Sequence, residues 1–290
     1  MSASDRLDVR KTYKLYIGGA FPRSESGRTY EAFDAKGTFL ANVARASRKD
    51  ARDAVSAARK AFAGWSGATP YNRGQVLYRV AEMLEGRREQ FIAEVMAGEG
   101  LRRSGAGDVV DRAIDRWVWY AGWADKIAQV HGSANAVAGP YFDFSLPEPT
   151  GIVATIAPQG SSLFGLVSVL APVIVTGNTA VVVTSYSRPL PAMTLAEVLA
   201  TSDVPGGVVN VLTGDSTEVG PWLASHMDVN GIDLAGVSDP DLATALEEAA
   251  ADNLKRVLRP GLPAWDVADP GIHRMTPFLE TKTVWHPIGV

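Results

Sequence analysis

With 290 residues, 46% hydrophobic and 21% charged, the chain has the balance of an ordinary globular protein and can bury one large core or two. A formal charge of −4 and a pI near 5.6 argue against nucleic-acid or anionic-membrane partners. These residues include no cysteine, which excludes disulfides, cysteine metal ligands and a thiol nucleophile among them.

Residues 1–12 are polar, and disorder is expected there. The start, MSASDRLDVRK, lacks the apolar core of a signal peptide. Pro and Gly interrupt every apolar stretch well before the roughly 20 residues a bilayer demands, so a cytoplasmic protein is expected. Residues 13–19, "YKLYIGG", read as an edge strand ending in a Gly-Gly turn. Ser47-x-x-Asp50 is a capping box that opens a helix, with Ala51, Val55, Ala58 and Phe62 on one face. Thr69-Pro70 starts the next helix, whose stripe is Val76, Val80, Met83 and Leu84. Further helices are expected over 89–98 and about 108–128. In the latter, Trp119 and Trp123 lie four apart on one face. Core packing is the expectation for them, and a stacking site for a nucleotide base is the alternative.

From Gly151 the rhythm changes. Unbroken apolar strands are expected at 152–156, 180–184, 208–212, 231–235 and 254–258. Helices alternate with them at 163–176, 189–200, 218–226 and 239–251. This alternation indicates a parallel sheet covered on both faces. The fold class is α/β: a Rossmann-like, doubly wound parallel sheet of about five strands with N-terminal helices. Residues 261–276 are broken by Pro and Gly and read as a linker. Residues 281–285 are β-branched and aromatic, a strand that Pro287 stops.

Ligands of open parallel sheets sit beyond the carboxyl ends of the strands. Here those ends carry 157–160, 184–187, 213–216 and 235–238. Their small residues suit a dinucleotide and equally suit ordinary strand-to-helix turns. Neither G-x-G-x-x-G nor Walker A is present. Gly214-Asp215-Ser216 and Gly236-Val237-Ser238 are each half of a nucleophile elbow. His131, His226, His273 and His286 show no metal-ligand spacing.

Several phrases in register, "RGQVLYRVAEMLEGRREQF", "YAGWADKI", "EPTGIVATIAP", "PVIVTGNTAVVV", "VPGGVVNVLTGD" and "AAADNLKRV", make the chain resemble the aldehyde dehydrogenase superfamily. The resemblance covers about Tyr13 to Val257, that family's coenzyme-binding domain, so a domain over 13–260 is expected. It implies NAD or NADP near Thr184, Ser187, Ser216 and Gly236. It also exposes departures. Gly160 stands where the family has its oxyanion asparagine. Thr184 and Ser187 stand for a lysine and a glutamate near the adenosine ribose. Val237 replaces a serine near the phosphates. The general-base glutamate would fall in "LRPGLP", which holds no acid, and the cysteine-bearing domain is missing. No catalytic residue is therefore assigned, no cofactor is expected to be required, and any NAD(P) binding is expected to be weak.

"ETKTVW" resembles the last strand of these enzymes, which crosses to a neighbouring subunit. Segment 132–149 resembles the other part of that oligomerisation arm. Tyr141, Phe142, Phe144, Thr281, Lys282, Thr283, Val284 and Trp285 are the assembly candidates, with 277–290 as the terminal strand. Lacking a sheet of its own to join, that strand is expected to add to another chain. Pairing with 132–149 of its own chain before docking is also expected. The resemblance is greatest to the second, cysteine-free module of two-module members. The expectation is a chain that is not an enzyme on its own, assembling with itself or with a catalytic aldehyde dehydrogenase. The alternatives are an NAD(P)-binding sensor, and an oxidoreductase of altered chemistry using Ser161, Ser162 or Asp215, beside which no base is evident.

Overall fold

The structure, a computed structural model, describes residues 10–261 and 263–289. Residues 1–9 of the segment expected to be disordered lie outside the described ones. The remaining three are engaged. Arg10 donates to the Phe39 carbonyl at 2.8 Å, Lys11 pairs with Glu197, and Thr12–Tyr13 form β1.

The expected edge strand over 13–19 is thus only its first step. Beyond it, Tyr16 makes a single antiparallel bridge to Val211. A hairpin that the pattern did not reveal follows: β2 (Thr29–Phe33) and β3 (Phe39–Ala44), with β1 parallel to β3. Asp34 turns the hairpin by accepting from the Lys36 and Thr38 amides at 2.9 and 2.7 Å.

Helix α1 (Arg48–Gly67) begins at the expected capping box. Ser47 Oγ accepts from the Asp50 amide at 3.3 Å, and Asp50 accepts from the Ser47 amide at 2.7 Å. Helix α2 (Pro70–Glu85) starts behind Thr69 with proline in its first turn. Helix α3 (Arg88–Glu99) ends at Gly100 in the left-handed conformation, φ 69°. The helix expected over 108–128 is two: α4 (Arg103–Ala121) stops at Gly122, and α5 (Ile127–His131) resumes after a turn. Two strands follow, β4 (Ser133–Asn135) and β5 (Tyr141–Pro149).

The α/β unit then runs β6 (Ile152–Ile156), α6 (Phe164–Val175), β7 (Thr179–Val183), α7 (Leu190–Ala200), β8 (Val209–Leu212), α8 (Ser216–Ala224), β9 (Gly231–Asp233), α9 (Pro240–Ala251), β10 (Arg256–Leu258). Its five strands are ordered β10-β9-β6-β7-β8, and every pair is parallel. Alternate residues of one strand enter different cores. Val153, Ala180 and Val182 pack on the side of α4, α6 and α7, whereas Ile152, Ala154 and Val181 pack with α1, α8 and α9. That two-sided burial is why the strands read as continuous apolar runs. The strand order reverses between β6 and β9, the switch point beside which ligands of open parallel sheets bind.

Residues 263–275, expected to be a linker, hold no helix or strand but are anchored. Trp265 lies 6.1 Å from the Phe164 ring, and Met275 is fully buried. A single 3₁₀ turn, Thr276–Phe278, leads into β11 (Leu279–Pro287). β11 does have a sheet of its own. It pairs antiparallel with β5 from Leu279↔Pro149 to Pro287↔Tyr141, in the order β11-β5-β4. The two segments separated in sequence are complementary in length and alternation, so they close the arm within one chain.

Candidate functional site at the carboxyl ends of the sheet

The topology gathers the four cofactor candidates at one end of the sheet. Thr184 follows β7 and is buried; its amide continues the ladder to the Leu212 carbonyl at 3.0 Å. Ser187 is exposed just beyond it. Ser216 is the first residue of α8, and Gly236 follows β9. Gly236 closes on the neighbouring strand: its amide donates to the Ile156 carbonyl at 2.9 Å. A Cβ there would sit 1.9 Å from the Ala157 carbonyl oxygen. Only glycine lets the β9 and β6 turns meet this closely, so backbone alone lines the switch point.

Gln159, unremarked in the sequence, ties the β6 and β7 ends together. Its Nε2 donates to the Ala157 carbonyl at 2.8 Å, and its Oε1 accepts from the Tyr186 amide at 2.9 Å. Ser185 donates to the Gln159 carbonyl at 2.8 Å. Tyr186 in turn stacks on Tyr30 of β2 at 4.6 Å.

The helix N-termini facing this end carry acids. Asp215 caps α8 by accepting from the Thr217 amide at 2.9 Å, and Asp239 caps α9 through the Asp241 amide at 3.0 Å. Pro240 removes one further donor from α9. A pyrophosphate at either terminus would meet a carboxylate where the helix dipole alone would attract it. The residues present therefore fit a nucleotide through sheet topology and the Gly236 backbone, and oppose it through charge.

Ser161 and Ser162 lie in the turn just before α6. Ser161 Oγ accepts from the Gly165 amide at 2.9 Å. The expectation that no base stands beside them is corrected, because Glu99 accepts from the Ser162 hydroxyl at 2.7 Å and from its amide at 2.6 Å. Sixty-three residues separate the pair, and no local pattern signals it. Ser162 is 2% exposed, so this carboxylate fastens the turn before α6 to the end of α3 and presents no nucleophile to solvent. Trp119 and Trp123 pack on each other at 5.4 Å against the larger core, as their spacing suggested.

The assembly candidates come together on the arm. Tyr141, Phe142 and Phe144 on β5 oppose Pro287, His286 and Val284 on β11, and Thr281, Lys282, Thr283 and Trp285 continue the same ladder. Trp285 packs on the Tyr141 ring at 5.6 Å, and Lys282 pairs with Glu148 at 3.0 Å. Among the described residues no helix is long and apolar enough to cross a membrane, and no group of three His, Cys, Asp or Glu side chains could hold a metal.

Comparison with known proteins matches residues 22–259 to the aldehyde dehydrogenase family. The aldehyde dehydrogenase of Aspergillus niger is 34% identical over 248 residues, 84% of this chain and 48% of that protein. Human retinal dehydrogenase 2 is 32% identical over 263 residues, 88% of this chain and 49% of that protein. The NAD+ complex of aldehyde dehydrogenase from Bacillus cereus superposes with a TM-score of 0.80 at 26% identity, covering 85% of this chain and 50% of that one. NAD-dependent aldehyde dehydrogenase from Sinorhizobium meliloti gives 0.79 at 26% identity, covering 89% and 51%. The chain spans about half the length of the relatives it matches.

These findings overturn the expectation of a chain that is not an enzyme, because the relatives and structures it matches bear the names of enzymes. That expectation rested on the missing cysteine, the missing general-base glutamate and the glycine at 160 in place of the oxyanion asparagine. By a family match that covers most of its length, the chain belongs to the aldehyde dehydrogenase family.

Proposed function

We propose that this chain is the coenzyme-binding and assembly portion of an NAD(P)-dependent aldehyde dehydrogenase. The switch point at the carboxyl ends of β6 and β9 holds the dinucleotide, and the three-stranded arm joins the chain to a second copy or to another dehydrogenase subunit. The observation that carries the reading is the approach of Gly236 to Ala157, where backbone alone lines the point at which strand order reverses. The coenzyme, when bound, accepts a hydride. This chain's part is to place Thr184, Ser187 and Ser216 about it and to exclude water with the Tyr30–Tyr186 stack. Aldehyde oxidation through a thioester needs a thiol, and these 290 residues hold none. The reading therefore assigns the thiol to another polypeptide segment of the working enzyme.

Acidic helix caps and the absence of a ribose-binding carboxylate each weaken binding by about 1–3 kcal/mol, or tenfold or more. Isothermal titration of the purified chain with NAD and NADP tests the proposal. Saturable binding in the micromolar to millimolar range is expected, tightened about tenfold by Ser187→Glu. Absence of binding for both coenzymes, with the chain folded, would remove it.

A further inference from the structure

A cavity that shares no lining residue with the sheet's carboxyl ends lies where α4 meets the start of α6. It encloses about 370 Å³ and is lined by Arg112, Asp115, Arg116, Trp119, Phe164 and Pro270, within the range of small-ligand sites, roughly 300–1,000 Å³. Its electrostatics are unusual. Arg112 and Arg116, four apart on one helix face, both sit over the Phe164 ring, at 4.0 and 4.8 Å. Like charges at that spacing repel, and the attraction of each guanidinium to the ring offsets only part of that cost.

Arg116 is 4% exposed. Among the described residues no carboxylate forms an ion pair with either arginine; their polar partners are carbonyls. Arg112 donates to the Asp266 carbonyl at 2.9 Å, and Arg116 donates to those of Trp265 and Val267 at 3.3 and 2.5 Å. Carbonyl dipoles offset such charges without neutralising them, and buried charges are ordinarily paired. Burial pulls the Arg116 pKa below the ordinary guanidinium value; the Tyr120 hydroxyl opposes this, and the charges of Arg112 and Arg274 add to it. Arg274 itself is already paired with Asp233. The cavity is thus a half-apolar space whose charged lining is Arg112, Arg116 and Asp115, two cations against one carboxylate that pairs with neither.

We infer that this cavity binds a small carboxylate with an apolar body, its acid group on Arg112 and Arg116 and its body against Trp119, Phe164 and Pro270. Guanidinium matches a carboxylate in geometry as well as charge, and the aromatic wall supplies apolar contact. An anion there also relieves the repulsion between the two arginines. The site stands whether or not the chain binds NAD(P).

Phenylacetate and its neutral counterpart phenylacetamide, titrated into the full chain and followed by ligand-observed NMR, test the assignment. Phenylacetate binds saturably and at least tenfold more tightly than phenylacetamide. Arg112→Gln, at an exposed position, weakens phenylacetate at least tenfold and leaves phenylacetamide and the melting temperature unchanged. Arg116→Lys, which keeps the charge and loses the fork, also weakens the acid. Equal binding of acid and amide, unchanged acid binding in Arg112→Gln, or no saturable binding of phenylacetate would each overturn the inference and leave the arginines as anchors of 265–267 only.

Discussion

Asp233 and Arg274 form an ion pair that is almost wholly buried, their side chains 1% and 2% exposed. Asp233 ends β9, and Arg274 comes from the irregular segment after β10, so the pair fastens that segment beneath the sheet. Asp233 also accepts from the Ala235 amide at 2.9 Å, shaping the turn that carries Gly236. Asp233→Asn leaves Arg274 buried and unpaired and is expected to cost about 3–5 kcal/mol. Replacing both, Asp233→Leu with Arg274→Met, removes two desolvation penalties together and recovers most of that loss. Urea denaturation of the two singles and the double closes the cycle. Additive losses would show that the two side chains do not act as a pair.

The contact of Gly236 with Ala157 sets a second expectation. The added methyl of Gly236→Ala would fall 1.9 Å from a carbonyl oxygen that belongs to the adjoining turn. Backbone must move, at a cost of about 1–3 kcal/mol or more. Ser238→Ala, two residues on and exposed, stays within about 0.5 kcal/mol of the parent. Thermal melts of the two variants separate close packing from general sensitivity of the loop.

Elements governed by local chemistry were legible in the sequence. Ile152–Ile156 was read with its observed bounds, because both faces of the strand are buried and every position is apolar. Ser47 and Thr69 announced α1 and α2 because a cap satisfies amides within its own first turn. What depends on distant partners was not legible. β2 and β3 are short, and their register shifts at Ala32 and Phe33, so alternation is blurred. The turn at Gly122 hides in "YAGWADKI", whose apolar spacing continues through it. The strand over 281–285 was evident, whereas its mate β5 lies far away in sequence, and strand composition does not name a partner. Glu99 with Ser162, and Asp233 with Arg274, are juxtapositions made by folding alone.

Glu94 makes stability depend on pH. It is largely buried between α3 and α7; Oε1 accepts from Thr194 at 2.8 Å and from Gln90 at 3.1 Å. Oε2 has no partner among the described residues. Burial raises its pKa above the ordinary carboxylate value of 4.5, and the charge of Glu197 adds to this, against hydrogen bonds from Thr194 and Gln90 and the charge of Lys11. A raised folded-state value means that the native protein holds this proton more tightly than the unfolded chain. The stabilisation is full below the unfolded value and is lost as pH rises through the folded one. Glu94→Gln, which keeps an acceptor for Thr194, is expected to abolish that loss and to be the more stable form at neutral pH. Melting temperatures of both proteins from pH 4 to pH 8 test it, and parallel curves would rule it out.

The arm offers a face as well as an edge. On one side of β5 the polar residues are satisfied internally. Asn135 donates to Asp143 at 2.6 Å and to Ser145 at 2.9 Å, and Ser145 meets Thr283 at 2.8 Å. On the other side Phe142, Phe144 and Leu146 project together, opposite His286, Val284 and Lys282. Phe142 is 52% exposed and Leu146 43%, so this side leaves apolar surface to solvent, with the Lys282–Glu148 ion pair at its end. An apolar sheet face beside an outer strand is the kind of surface that assembly would cover. The proposed assembly therefore runs through this face, and Leu146→Glu should disrupt it without touching the Asn135 network. Size-exclusion chromatography with light scattering should show the parent as a multiple of 30.8 kDa and the variant as a single chain with an unchanged melting temperature. A parent already at the mass of one chain would mean that the face serves no assembly of this protein with itself.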